Sequence, residues 1–308
     1  MEEPVADGED LSIVIPAFNE EGGLGLTLDG VIAAFPAAEV IVVDDCSLDG
    51  TSKVAQERPG VLVLRHSFNR GQGAALKTGM RYATRPHVAW FDADNEHRTE
   101  DLGRLVARMQ AENLVAVIGQ RPTSSSSPTR RIGKLMIRLI GRGLRINAGP
   151  DLNCGLRVFR REVVLPYLSL IPDRFSASLT STLILIERRY SIAFEPVRTN
   201  SRIGASTVRL SDGFDAILML IRAVLLFAPM RFFLPIGLWL VGLGAAYGLV
   251  VALVMGGGLP VAGMLAITVG VLAIILGLVA DQISQLRLAQ LPDAGVIEGG
   301  DGQKAKGR

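Results

Sequence analysis

His87-Val88-Ala89-Trp90-Phe91-Asp92-Ala93-Asp94-Asn95-Glu96 is the stretch on which the reading of this chain turns. Its first half is an apolar run of strand length, as expected of a parallel strand buried on both faces. Its second half is acidic, and open α/β sheets bind ligands beyond the carboxyl ends of their strands. Asp92 and Asp94 lie two apart, so on extended backbone they point the same way, and Glu96 can join them. Carboxylates crowded together repel unless a cation sits among them. Oxygen-only ligands suit Mg2+ or Mn2+, and such an ion with few protein ligands usually completes its shell with phosphates. A solvated turn with acidic side chains is the competing explanation of this stretch taken alone.

The pattern extends in both directions. Residues 11–17, 40–43, 61–64, 88–91 and 114–118 read as short strands, and 22–34, 51–57, 73–83 and 100–112 as helices between them. Such alternation with right-handed crossovers predicts an α/β fold: an open, mostly parallel sheet with helices on both faces. Two further strand ends carry acids, Pro16-Ala17-Phe18-Asn19-Glu20 after the first and Asp44-Asp45-Cys46-Ser47 after the second. Acids on three strand ends of one edge are hard to explain as solvation. No GxGxxG follows the first strand and no GxxxxGK[ST] occurs, which argues against a dinucleotide oxidoreductase and a P-loop NTPase. The stretch 69–76 puts Gly71 and Gly73 at the start of a helix. That placement fits either an anion at the helix N-terminus or a turn needing positive φ.

The remainder of the 308 residues is unlike an ordinary soluble enzyme. Mean hydropathy is +0.35, and the apolar excess lies toward the C-terminus. Residues 232–255 and 259–280 contain no charge. At about 1.5 Å per residue each is long enough for the roughly 30 Å hydrocarbon core. They predict a two-helix transmembrane anchor over 232–288, turned at Gly256-Gly257-Gly258. Arg222 and Arg231 precede the first span, and Arg287, Lys304, Lys306 and Arg308 follow the second. The positive-inside rule then places both termini and the sheet domain in the cytoplasm. Residues 1–10 form an acidic tail without the apolar core of a signal peptide. Cys46 and Cys154 make no disulfide framework.

Between the sheet and the spans, four consecutive serines between two prolines mark a loop. A basic stripe follows (Arg131, Lys134, Arg138, Arg142, Arg145) at spacings of three and four. It suits a membrane surface or an ordinary surface helix equally. Residues 213–231 read as an interfacial amphipathic helix and 289–308 as a disordered tail, leaving 11–212 for the catalytic domain. His66, His87 and His97 share no zinc-ligand spacing, though His97 stands where it can orient a metal ligand.

Six ordered motifs carry a resemblance: IPAFNE at 15–20, VVDDCSLDGT at 42–51, NRGQGAAL at 69–76, FDADNEH at 91–97, DLNCGLRVFRR at 151–161 and RIGAS at 202–206. Together they resemble the family 2 glycosyltransferases, in particular the polyprenyl-phosphate enzymes related to dolichyl-phosphate mannose and glucose synthases. The resemblance covers residues 11 to about 209, and the two C-terminal spans fit its bacterial membrane-bound members, which implies the plasma membrane of a prokaryote. It implies a GT-A-type sheet, and it implies roles by position. Pro16, Phe18, Glu20, Val43 and Asp45 match positions that hold a nucleotide's base and ribose. Asp92, Ala93 and Asp94 match the DxD element near the diphosphate, with Asp92 and Asp94 on the metal and Asp94 the more direct ligand. Glu96 stands where many relatives have Gln, adding charge beside that metal. Arg121, Arg131 and Ser206 match positions approaching the diphosphate or the acceptor phosphate. Asp151 is the candidate base or acceptor-positioning group, and Arg202 a second cation on the leaving group. Arg157 suits anchoring a loop or a phosphate more than chemistry.

The expectation is a membrane-anchored enzyme, dependent on Mg2+ or Mn2+, that moves one hexose with inversion. The donor would be a UDP- or GDP-sugar and the acceptor a polyprenyl phosphate. The alternative is a family 2 enzyme acting on another lipid or glycan acceptor. Polymer synthesis is disfavoured, because Trp90 and Trp239 are the only tryptophans and neither lies in a QxxRW setting. A non-catalytic scaffold is disfavoured by the intact Asp45, Asp92, Asp94 and Arg202. Lone two-helix anchors often associate, so a homo-oligomer is compatible with this layout, and no nucleic-acid partner is expected.

Overall fold

The structure is a computed structural model describing residues 8–121, 154–174, 177–200, 229–256 and 260–289. The chain divides into two compact units.

The first unit holds a seven-stranded sheet. In chain order its elements are β1 (Leu11–Ala17), α1 (Glu21–Ala34), β2 (Glu39–Asp44), α2 (Thr51–Gln56), β3 (Val61–Arg65), α3 (Gln72–Tyr82), β4 (His87–Trp90), α4 (Thr99–Ala111) and β5 (Ala116–Gln120). They continue with β6 (Arg157–Arg160), the short α5 (Arg161–Val164), a 3-10 turn (Leu165–Leu170), α6 (Ala177–Glu187) and β7 (Ile192–Pro196). Spatial order is β3-β2-β1-β4-β6-β5-β7. Every neighbouring pair is parallel except those of β6, which runs antiparallel to both β4 and β5. The five expected strands and four expected helices are all present, with bounds shifted by up to two residues. β6 and β7 were not anticipated.

β1 is buried along its whole length, and its side chains alternate between two helical layers. Leu11, Ile13 and Ile15 enter one core with Leu24, Leu28 and Val31 of α1 and Leu102, Leu105 and Met109 of α4. Each fully buried aliphatic side chain of that kind is worth roughly 1.5–3 kcal/mol over an exposed one. Val14 faces the opposite layer, where α3 lies. Pro16 is tolerated in this central strand because its missing N–H falls on the β4 side. There the ladder has already ended, with Val14 paired to Trp90 and the Phe91 amide on the Val14 carbonyl at 3.1 Å.

The second unit contains α7 (Pro229–Met255) and α8 (Val261–Ala289). Pro229–Val254 and Val261–Leu286 are each long and apolar enough to cross a membrane, 26 residues with hydropathy 2.1 and 2.6. That length corresponds to about 39 Å of helix. The helices run antiparallel, with Gly237 against Gly270 and Gly244 against Gly263, small residues that let two backbones approach in lipid. Leu243, Leu253, Leu265 and Leu272 face outward and are exposed, as suits a solvent that is itself apolar. Residues 229–231, expected at the end of an interfacial helix, already belong to α7. The rest of that stretch, the basic stripe over 131–145 and most of the tail lie outside the described residues.

Candidate active site

The carboxyl edge of the sheet collects the polar groups, and β4 sets their depth by stopping early. Asp92-Ala93-Asp94 therefore runs as a turn past the end of β4 and lies against α1. The Thr27 hydroxyl clamps it, donating to the Ala93 carbonyl and accepting from the Asn95 amide, both at 3.1 Å. Asn95 takes a left-handed conformation at φ 58°, which asparagine tolerates better than most residues. From the other side, the Asn200 amide donates to the Glu96 carbonyl at 2.8 Å, and His97 bridges to Thr199.

Asp92 is partly exposed and held at both oxygens. His97 Nε2 lies 3.0 Å from Oδ2, and Gln72 Nε2 donates to Oδ1 at 3.2 Å. Burial by itself would raise the Asp92 pKa. The His97 hydrogen bond and charge, with Arg121 and Arg157 further off, outweigh it and hold the carboxyl below its usual range. His97 responds in the opposite sense: burial pulls its pKa down, while the bond and charge of Asp92, then Glu96 and Asp94, pull it up overall. His97 thus orients Asp92, as its place in the sequence suggested. The same ring lines a cleft of about 320 Å3 with Thr27, Asn95 and Asn200.

Asp94 is buried, and its Oδ1 accepts the Glu96 amide at 3.0 Å. That tight turn carries the Glu96 side chain away from the pair, to 3.7 Å from Arg121 Nη1. Among the described residues no three His, Cys, Asp or Glu side chains converge on a metal-sized site. Glu96, expected to join Asp92 and Asp94, stands beside Arg121. Two hard oxygen donors at a strand end still fit Mg2+ or Mn2+ when phosphate oxygens supply the remaining ligands.

Asp44 and Asp45 end β2 with different tasks. Asp44 is buried and closes the loop to α2, accepting the Ser47 amide at 2.8 Å and the Ser52 hydroxyl. Asp45 is equally buried. His66 Nδ1 lies 2.6 Å from its Oδ1, and the amides of Arg70 and Gly71 donate to its two oxygens at 2.9 and 2.6 Å. Asp45 therefore ties β2 to β3 and to the 69–72 loop. Gly71 has φ 101°, so the turn explanation of this glycine holds. The anion explanation of the helix start does not. The amides of Gly73 and Ala74 already donate to the carbonyls of Arg174 and Asp173, at 3.3 and 2.7 Å. A Cβ on residue 73 would lie 2.0 Å from the Pro172 carbonyl oxygen; that glycine lets another segment cap the helix.

Pro16 and Val43 are paired neighbours on β1 and β2. Phe18 is exposed above them, and the Glu20 amide donates to Thr51 Oγ1 at 2.9 Å. Asp49 locks the same loops. Burial raises its pKa, but hydrogen bonds from Thr51 and the Glu21 amide prevail and lower it. Arg157 is fully buried and anchors a loop: it donates to the Cys154 and Ser178 carbonyls and to Ser181 and Thr182. Gly155 abuts Asp92. Asp151, Arg131, Arg202 and Ser206 lie outside the described residues. The sequence reading missed Thr27, Gln72, Gly155 and Asn200, which brace the acidic turn from four separate segments.

A mostly parallel sheet with an acidic turn at its carboxyl edge is the α/β layout expected from the sequence, and comparison with known proteins supplies the family. Glycosyl transferase family 2 matches residues 12–166, and the GtrB C-terminal hairpin matches residues 228–286. The chain belongs to glycosyl transferase family 2. An uncharacterized protein of Methanocaldococcus jannaschii is 31% identical over 202 residues, which cover 62% of this chain and 82% of that protein. The undecaprenyl-phosphate mannosyltransferase of Micrococcus luteus is 33% identical over 167 residues, 49% of this chain and 66% of its own length. Among solved structures, glucosyl-3-phosphoglycerate synthase from Mycobacterium tuberculosis, in complex with Mn2+, UDP and its product, superposes with a TM-score of 0.56. Its identity is 19%, over 70% of this chain and 78% of that one. That likeness establishes a GT-A-like fold.

Proposed function

We propose that this glycosyltransferase moves a single hexose from a UDP- or GDP-sugar to a polyprenyl phosphate at the cytosolic membrane face, with inversion at the anomeric carbon. The observation that carries the reading is the acidic turn of Asp92 and Asp94 at the carboxyl edge of a family 2 domain, in a chain that also has an apolar helical hairpin. The mannosyltransferase relative, named for undecaprenyl phosphate, supports the acceptor class.

The residues take these roles. Pro16, Phe18, Glu20, Val43 and Asp45 lie at the first two strand ends, where a base and ribose would lie. Asp92, braced by His97 and Gln72, and Asp94, braced by the Glu96 amide, would hold Mg2+ or Mn2+ against the diphosphate. A bound divalent ion would neutralise charge on the departing nucleoside diphosphate as a Lewis acid. Arg121 brings a further positive charge, balanced by Glu96. An acceptor phosphate oxygen would form its bond to the anomeric carbon as the bond to the diphosphate breaks. The acceptor is already an anion at neutral pH, so no proton need leave it. Asp151 is the candidate for placing that phosphate, with Arg131, Arg202 and Ser206 as candidate phosphate contacts. The anchor would keep both termini cytoplasmic and hold the domain where the lipid headgroup is presented.

The test is a donor screen. Purified full-length protein with Mg2+ or Mn2+ and undecaprenyl phosphate is offered UDP- and GDP-hexoses, and lipid-linked product is read by mass. One donor should give product that disappears with chelator. Donor consumed only when another lipid replaces the polyprenyl phosphate would overturn the acceptor.

A further inference from the structure

We propose that the α3 side of the sheet unit is a docking surface for the anionic headgroups of a phospholipid bilayer, with Arg81 and Arg174 as its principal contacts. The inference needs the two apolar helices but not the reaction proposed above.

Two helical layers cover the sheet, and their charges are arranged differently. On the α1 side, every base of α2 and α4 stands beside an acid. Lys53 lies 4.0 Å from Glu57, Arg104 2.7 Å from Asp101 and Arg108 2.8 Å from Glu195. Arg58, just past α2, lies 2.8 Å from Asp29. Charges matched so closely project little field beyond the surface.

The other layer is α3, the 3-10 turn and α6. These share a face of the sheet. Trp90 of β4 donates to Met80 Sδ on α3, and its cross-strand partner Arg157 donates to Ser181 and Thr182 on α6. Here bases outnumber acids. Lys77 donates to the Ile171 carbonyl at 2.8 Å and pairs with Asp173. Arg174 follows directly, its Cα 2.8 Å from where a Cβ on Gly71 would stand. Arg81 lies one turn beyond Lys77 on α3. Asp173 registers the surplus: the Lys77 hydrogen bond above all, then the charges of Lys77, Arg70 and Arg81, outweigh burial and hold its carboxyl below the usual range. Lys77 already takes that acid. Arg81 and Arg174 are exposed, and neither has an acid at ion-pair distance among the described residues. Glu162 and Glu187, the other acids of this layer, have Arg161, Arg188 and Arg189 as sequence neighbours.

Unmatched cations on one face call for an anionic partner, and the chain brings one close. Its two 26-residue apolar segments are each long enough to cross a membrane. They tether the sheet unit to a bilayer, so that a weak attraction suffices to dock it. A leaflet containing acidic phospholipid attracts Lys and Arg over about a Debye length. Arginine adds bidentate hydrogen bonds to phosphate. Docking by this face would fix which side of the sheet meets the lipid.

Arginine footprinting of the full chain in nanodiscs tests the proposal. Phenylglyoxal is applied in discs of phosphatidylcholine, of phosphatidylcholine with phosphatidylglycerol, and of phosphatidylcholine carrying undecaprenyl phosphate at the same total charge. Mass spectrometry reads each arginine. With phosphatidylglycerol, Arg81 and Arg174 should react several-fold more slowly than in neutral discs, while Arg104 on the opposite layer keeps its rate. The protection should vanish at about 1 M salt, where the Debye length is about 3 Å. Equal rates in charged and neutral discs, equal protection of Arg104, or protection that survives the salt would overturn the proposal. Protection by undecaprenyl phosphate without protection by phosphatidylglycerol would also overturn it, and would give the arginines to the acceptor headgroup. The footprint involves neither turnover nor a variant, so failure of the proposed reaction leaves this result standing.

Discussion

Replacing Gly155 by alanine puts a methyl group where the Asp92 side chain leaves no room. A Cβ there would lie 2.1 Å from Asp92 Oδ2, 2.8 Å from Cγ and 2.9 Å from Oδ1. Real Cβ contacts stay beyond 3.0 Å, so the carboxylate must retreat by about 0.9 Å at least. The obstructing atoms end a short side chain, not backbone, so the fold can yield by turning Asp92. Yielding breaks the 3.0 Å bond to His97, worth about 1.5–3 kcal/mol as a charge-assisted hydrogen bond. Alanine recovers roughly 0.4–1 kcal/mol by restricting the unfolded chain. A net loss of about 1–2 kcal/mol should lower the melting midpoint by a few degrees and leave the protein folded. Function should suffer far more, because a displacement of about 1 Å at a reacting centre can cost on the order of a hundredfold. The assay pairs thermal melting with metal-dependent nucleotide binding and sugar transfer. Gly242→Ala, where a Cβ meets nothing within 4 Å, serves as the control. Transfer by Gly155→Ala at the wild-type rate would refute the placement of Asp92 as the carboxylate on which the site depends.

Asp94→Asn keeps an oxygen for the Glu96 amide but removes the charge. It should abolish Mn2+-dependent nucleotide binding with little change in melting, and binding that survives would move the metal elsewhere. Gly73→Ala drives a Cβ to 2.0 Å from the Pro172 carbonyl oxygen, so backbone must move. A loss of about 1–3 kcal/mol is expected from such overpacking, seen as a lower melting midpoint. His87 supplies a pH test. Burial lowers its pKa most, Asp10 opposes, and Arg160 adds to the lowering; its Nδ1 is buried with no hydrogen-bond partner among the described residues. The unfolded chain takes up the proton first, near pH 6.5, so this residue costs stability as pH falls through that value toward its lower folded pKa. His87→Gln should melt with a shallower acid dependence than the wild type, and parallel curves would contradict the assignment.

The parallel half of the sheet was legible because each of its strands is an apolar run with an acid or a turn residue at its carboxyl end. β6 was hidden by its own chemistry. Arg157-Val158-Phe159-Arg160 has a charge at both ends, and only the structure shows that Arg157 is buried among carbonyls and hydroxyls. β7, Ile192–Pro196, is short and ends in Glu195 and Pro196, a sequence that reads as loop. Within the site, the strand-end acids could be found from spacing alone. Their occupancy could not. His66 on Asp45, Arg121 beside Glu96 and the Pro172–Arg174 carbonyls over the start of α3 are contacts between segments 21 to about 100 residues apart. No local pattern records them.

The position of β6 has a consequence for how the molecule comes into being. β4 and β5 are successive strands in the chain, yet they never touch, because a strand made later lies between them and pairs with both. When synthesis has reached Gln120, both exist with bare edges facing the gap. The nascent chain must keep those edges from pairing with each other or with another molecule until Arg157–Arg160 emerges. Closing the gap needs contacts of long sequence separation, a slow kind of step. Trp90, the last residue of β4, has Arg157 as its partner across the sheet. One edge of the strand that delivers the acids is held early by β1 and the other is among the last to be paired, so a chain released early would leave that second edge of β4 bare beside the acidic turn.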